Sequence, residues 1–157
     1  MLSQDNDYIQ WPSLIITANP VERGEIIMHM NTLTPNLMVE DVGTTVNFYK
    51  DHLGFELIMS VPMNKGFQWC MMRSGEVEIM FQSRESMTKE HGVFEGTEIS
   101  ASQTLYISIE GVEELFSRVE EKVQVLKPLH TTFYGMTEFT MLDCNGYVLV
   151  FSERLLK

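Results

Sequence analysis

Few side chains in this sequence have the type and spacing to do chemistry. The four histidines, His29, His52, His91 and His130, show no HxH or HxxxH spacing, so they predict no metal site on a single strand or helix. Only His130, eight residues before Glu138, could meet a carboxylate at a pocket mouth. The two cysteines, Cys70 and Cys144, lack CxxC spacing and read as reduced thiols packed like small hydrophobes. Cys70 alternates with a buried strand face, and Cys144 falls in a turn with no evident base, so covalent catalysis finds no support. Glu78 is a candidate acid–base or cation-pairing group, but nothing is spaced to work with it. What remains is a set of aromatic, methionine and amide side chains on strands, better suited to binding than to bond-making.

Those residues sit in a cassette that occurs twice. "LMVEDVGTTVNFYKDHLGFEL" (37–57) reads as strand, helix, glycine, strand. Asp41 is the N-cap, Gly54 the C-cap signal, and Val42, Val46, Phe48, Tyr49 and Leu53 follow helical spacing. Phe67–Arg73 and Glu76–Ser83 flank "SG", a two-residue hairpin turn. "YISIEGVEELFSRVEEKVQVL" (106–126) repeats the order, with Val112, Leu115, Phe116 and Val119 facing inward. Residues 129–136 read as a loop, Thr137–Leu142 as a strand, "DCNG" as a turn and Tyr147–Glu153 as the closing strand. Val39-Glu40-x-Val42 matches Ile109-Glu110-x-Val112 at an offset of 70, and "SGEVEIMF" matches "NGYVLVFS" at an offset of 71. A period this long marks a duplicated module rather than a solenoid.

The expected organisation is an N-terminal arm or non-native leader at 1–30, a first βαβββ module at 31–84, a polar linker at 85–101 and a second module at 102–157. "ERGEIIM" (22–28) could be encoded by a purine-rich ribosome-binding site, which predicts synthesis starting at Met28 or Met30. The chain has 157 residues and a formal net charge of −11. Charge of that sign repels a phosphate backbone and attracts cations, so a nucleic-acid partner is not expected. No apolar run is long enough to span a membrane, and "MLSQDNDY" lacks the basic start of a secretory signal. A cytoplasmic protein with no membrane partner is expected. Twelve methionines suit an irregular core or a tolerant binding surface.

The motifs "VxDVxxTVxFYxxxLGF" (39–55) and "FxxxDxxGYxLxF" (139–151), in this module order, resemble the vicinal oxygen chelate superfamily. That group includes glyoxalase I, extradiol dioxygenases, fosfomycin resistance proteins and bleomycin resistance proteins. The resemblance runs from Thr34 to about Glu153. It implies an α+β fold of two tandem βαβββ modules forming a curled mixed sheet around a central cavity. It also implies a homodimer. In metal-dependent members, His, Glu or Gln on the first and last strands of each module hold a divalent ion. Those positions fall here on Thr34, Met80, Thr104 and Val150. A slip of two residues reaches Asn36, Glu78 or Gln82, Tyr106 and Ser152, which is no more convincing a ligand set.

Strand alternation then gives the expected lining. Asn36, Met38, Glu78, Met80, Gln82 and Tyr106 face the cavity. The "SG" hairpin pairs Met71 with Glu78 and Trp69 with Met80, adding Trp69 and Met71. Val148, Val150 and Ser152 line the other end. Leu37, Val39, Ile79, Phe81, Ile107, Leu149 and Phe151 face the helices as core. In the loop "LHTTFYGMTEF" (129–139), Phe133, Tyr134 and Phe139 are candidates for stacking on a ligand. A lining of this kind suits a planar, partly cationic organic molecule. The reading is a glyoxalase/bleomycin resistance-like protein that binds a small molecule, a cationic drug among the candidates, with no metal and no other cofactor. The alternative is a metal-dependent lyase or dioxygenase of the same superfamily.

Overall fold

Asp41 starts the first helix as its sequence position predicts. Its Oδ1 accepts the Thr44 amide at 2.6 Å, which satisfies an otherwise unpaired donor and holds the Asp41 carboxyl below its ordinary value. At the other end Gly54 adopts φ +72°, and its amide returns to the Tyr49 carbonyl, a left-handed cap that favours glycine. The computed structural model describes residues 29–100 and 102–154. The arm as far as residue 28, and the start site at Met28, lie outside the described residues. The chain divides into two units, Met1–Asn31 and Thr32–Lys157, and every element below belongs to the second.

The first module runs β1 (Asn36–Val39), α1 (Val42–Leu53), β2 (Glu56–Pro62), β3 (Phe67–Ser74) and β4 (Val77–Ser83). The second runs β5 (Thr104–Ser108), α3 (Val112–Val119), β6 (Val125–Thr131), β7 (Met136–Leu142) and β8 (Val148–Arg154). Between them α2 (Arg84–Glu90) and a 3₁₀ turn (Gly92–Phe94) occupy most of the stretch that reads as a linker. Only Met87 of α2 is buried, so no amphipathic period announces that helix. Ser83 caps it through the Ser86 amide.

The expected curled sheet around a central cavity is not formed. Each module makes its own four-stranded mixed sheet, ordered β1-β4-β3-β2 and β5-β8-β7-β6. Each sheet has one parallel pair, β1 with β4 or β5 with β8, and two antiparallel pairs. The sheets are neither curled nor closed: β1 and β2 are free edges of one, and β5 and β6 are free edges of the other. The reason lies on the helix side. Leu37, Val39, Ile79, Phe81, Ile107, Leu149 and Phe151 are all buried, and they join residues of α1 and α3 in one apolar cluster. The modules meet through this core and through a buried polar junction. There the Tyr49 hydroxyl donates to Asp143 Oδ2 at 2.9 Å, Asn145 Nδ2 to Thr45 Oγ1 at 3.1 Å, and the Tyr147 hydroxyl to the Met38 carbonyl at 2.8 Å. The opposite sheet faces do not close on each other.

The first hairpin also differs in detail. Its turn is Gly75-Glu76, with Ser74 opposite Val77, so Arg73 pairs with Glu78, Met71 with Met80 and Trp69 with Gln82. Gly75 at φ +57° supplies the left-handed conformation that a tight hairpin needs. The register is two residues from the expected one, and an even shift leaves every side chain on its expected face. Among the described residues no helix is long and apolar enough to cross a membrane.

Candidate functional site

On the first sheet, the face away from the core carries Asn36, Met38, Trp69, Met71, Glu78, Met80 and Gln82, the set that alternation predicts. Several are already committed to partners within the chain. Glu78 accepts the Arg73 guanidinium, from Nε at 2.8 Å and from NH2. Gln82 is buried, accepts from Asn36 Nδ2 at 2.7 Å, and donates to Ser86 Oγ at 3.0 Å and Glu90 Oε2 at 2.8 Å. These bonds seat α2 over that end of the sheet, and Met38 is buried beneath it. Trp69, Met71 and Met80 remain half-buried in the middle of the face.

The second sheet gathers more chemistry. Glu138 on β7 is 6% exposed. Its Oε1 accepts the Tyr106 hydroxyl at 2.5 Å and the Tyr134 hydroxyl at 3.0 Å, and its Oε2 lies 3.2 Å from the latter. Tyr106 comes from β5 and Tyr134 from the β6–β7 connection, so two elements converge on one carboxylate. Both rings are more than half exposed. The Glu138 hydrogen bond pushes the Tyr106 hydroxyl up, and partial burial together with Glu138 does the same for Tyr134. Both phenols therefore stay protonated and donate. Among the described residues no ion pair reaches Glu138. A carboxylate this buried without a cation is costly.

Strand register sets two further groups beside it. His130 on β6 and Ser152 on β8 are its direct cross-strand partners. Ser152 is fully buried, and its Oγ, although beside Tyr106, meets no partner in hydrogen-bond geometry. His130 Nδ1 lies 3.0 Å from the Pro128 carbonyl, while its buried Nε2 has no partner. Ser152 also lines a groove of about 720 Å³ with Ser108, Met136 and Arg154. A larger cleft of about 790 Å³, lined by Phe55, Ile107 and Phe151, lies between the modules and shares Ser108, Ile109 and Glu110 with that groove.

Among the expected stacking residues, Tyr134 reaches the cluster, and Phe133, 93% exposed, packs edge-on against it. Phe139 does not reach it. It is fully buried on the helix side, stacked on Phe151 at 5.3 Å and edge-on to Phe116 at 5.1 Å. Its neighbours Glu138 and Thr140 take the open face, so alternation sends Phe139 inward. Sequence reasoning named Phe139 as a contact and did not apply alternation along β7, which would have chosen Glu138 instead. The "DCNG" hairpin, which sets Phe139 opposite Phe151 and Glu138 opposite Ser152, was the signal that could have done so.

The positions that would hold a metal do not fit one. Thr34 precedes β1, Thr104 is exposed, and Met80 and Val150 are half-buried. Hydroxyl, thioether and isopropyl groups make no divalent-ion site. Among the described residues no three His, Cys, Asp or Glu side chains come together as a metal-holding group.

The fold is shared with known structures. TioX from Micromonospora sp. ML1 is 16% identical, with 81% of this chain and 98% of that one covered and a TM-score of 0.62. A glyoxalase/bleomycin resistance protein/dioxygenase from Nocardioides is 14% identical, with coverage of 83% and 87% and a TM-score of 0.66. A glyoxalase/bleomycin resistance protein/dioxygenase family enzyme from Burkholderia phytofirmans PsJN is 18% identical, with coverage of 78% and 97% and a TM-score of 0.65. Identities this low carry the fold and not the activity. No curated protein matches the sequence. The family model described as Glyoxalase/Bleomycin resistance protein/Dioxygenase superfamily matches residues 27–151, and the chain belongs to that superfamily.

Proposed function

We propose that this protein binds a small organic cation without the help of a metal, and that its physiological role is sequestration of a cationic drug, as in the bleomycin resistance proteins it resembles. The observation that carries this reading is Glu138: a buried carboxylate, flanked by two tyrosine rings, with no cationic side chain among the described residues paired to it. A ligand cation supplies the missing charge, and the Tyr106 and Tyr134 faces attract it further. The acidic balance of the chain, −11, favours encounter with such a molecule. The lack of a metal-holding group among the described residues supports binding over metal-dependent lyase or dioxygenase chemistry. A cytoplasmic setting agrees with two free cysteines, Cys70 and Cys144.

We also propose a homodimer. Edge strand β2 exposes Leu57, Ile58, Met59 and Val61 at 40–58%, next to the half-buried Trp69 and Met71. An apolar edge left in water is a site for association.

Fluorescence titration with proflavine, a planar aromatic cation, tests the ligand reading. Saturable binding is expected, weakened by salt and about tenfold weaker in Glu138→Gln. Absence of saturable binding overturns it. A thermal-shift series of chelator-stripped protein with Ni, Zn, Mn, Fe(II) and Mg tests the metal reading. A rise of several degrees specific to one ion would restore the enzyme alternative.

A further inference from the structure

We infer that the ligand group seated at Glu138 is a multiply N–H-donating cation of the amidinium or guanidinium class, held by the row His130–Glu138–Ser152. This inference rests on the cation-binding reading above and narrows it. Its starting point is the His130 tautomer. Nδ1 faces the Pro128 carbonyl at 3.0 Å, and a carbonyl can only accept, so Nδ1 carries the proton. In the neutral ring Nε2 is then a bare acceptor. That atom is buried and without a partner.

The rest of the row has the same polarity. Tyr106 and Tyr134 spend their only proton on Glu138, so their oxygens have only acceptor capacity left. Each carboxylate oxygen has two lone pairs, and Oε2 of Glu138 is occupied only by the 3.2 Å contact to Tyr134. Ser152 Oγ is fully buried, accepts no hydrogen bond among the described residues and directs its proton toward Tyr106, which leaves its lone pairs as acceptor sites. Cross-strand register places His130 and Ser152 on either side of Glu138, on one face of the sheet. Directly opposed residues stand about 5 Å apart, so His130 and Ser152 each neighbour Glu138 across one strand spacing, and a planar fork of N–H groups seated on Glu138 reaches toward either side.

This polarity selects among ligands. An acceptor row repels carboxylates and phosphates. A quaternary ammonium group gains the charge of Glu138 and the tyrosine faces, but it leaves His130 Nε2 and Ser152 Oγ without donors. An amidinium or guanidinium brings N–H donors to Glu138 and offers one to each neighbouring acceptor.

The test is calorimetric titration of the full chain with benzamidine and with benzyltrimethylammonium. Each carries one ring and one positive charge, and only benzamidine has N–H donors. We expect benzamidine to bind at least about tenfold more tightly. Ser152→Ala and His130→Phe should each reduce that preference, with circular dichroism confirming their fold. Equal affinities for the two probes in the unaltered protein overturn the donor inference and leave the cation reading standing. Preference retained in full by both variants overturns the assignment to this row. Binding of neither probe overturns both readings.

Discussion

Glu138 is where stability and function pull apart. Its carboxylate is buried, receives two phenolic hydrogen bonds and meets no counter-charge among the described residues. Two donors offset only part of the cost of removing an ion from water. Glu138→Gln keeps the shape, removes the charge and should raise the melting temperature while it weakens cation binding. A parallel measurement of Tm and proflavine affinity checks this, and a fall in both would show that the carboxylate is structural. Phe139→Ala should behave in the opposite way. Its ring fills the core between Phe116 and Phe151, so truncation should cost about 3–5 kcal/mol in urea unfolding and leave affinity per folded molecule unchanged. At this scale the sequence was partly legible. Alternation assigned Trp69, Met71 and Tyr106 to the open face. The reading of Phe139 rested instead on its loop context, because an aromatic beside a glycine-containing loop reads like a surface residue until the strand is paired. Glu138 depends on Tyr134, a loop side chain to which no period applies.

Among the elements, caps and turns follow local rules, whereas edges depend on what covers them. At φ +72° Gly54 has no neighbour that a Cβ would strike, so Gly54→Ala should cost about 1 kcal/mol of backbone strain alone. Chemical denaturation of that variant is the check. Helix α1 was legible because Asp41, Gly54 and five apolar positions agree. Helix α2 was not, since its single buried residue, Met87, shows no period and its anchor is the Gln82 side chain bonding to Ser86 and Glu90. Strand β2 reads as an ordinary apolar strand, yet it lies at an edge and its side chains are exposed. Met59→Lys should therefore shift sedimentation from dimer to monomer with little change in unfolding, as charges do on natural sheet edges. An unchanged sedimentation profile would place any self-association elsewhere.

The whole molecule is joined at the Tyr49–Asp143 junction. Burial pushes the Asp143 carboxyl above 3.8, against the hydrogen bonds from the Tyr147 and Asn145 amides and the Tyr49 hydroxyl that lower it. The stability effect follows from that direction. Below 3.8 the carboxyl is protonated in folded and unfolded chains alike. As pH rises past 3.8 the unfolded chain ionises first, so stability is lost until the folded group has ionised too. Asp143→Asn keeps an acceptor for both amides and an N–H for the Tyr49 oxygen. The Tm of the parent protein should thus fall relative to Asp143→Asn as pH rises through that window, then run parallel to it. Tyr49→Phe leaves Asp143 short of a donor and should cost about 1–3 kcal/mol at neutral pH.

By itself the sequence determined the duplicated βαβββ order, the caps of the first helix and the strand residues that meet the helices. Each of these is written in a short period of two or 3.6 residues, or in one capping side chain, and needs no knowledge of distant partners. Tertiary structure alone decided that the modules join on their helix sides, leaving two open sheets where a curled one was expected. The bonds that fix this, Tyr49 to Asp143, Asn145 to Thr45 and Tyr147 to Met38, span 94, 100 and 109 residues. No local period encodes contacts of that separation. Their energy is realised only once both cores exist, and the convergence of Tyr106, Tyr134, His130 and Ser152 around Glu138 likewise depends on strands that pair only in the folded chain.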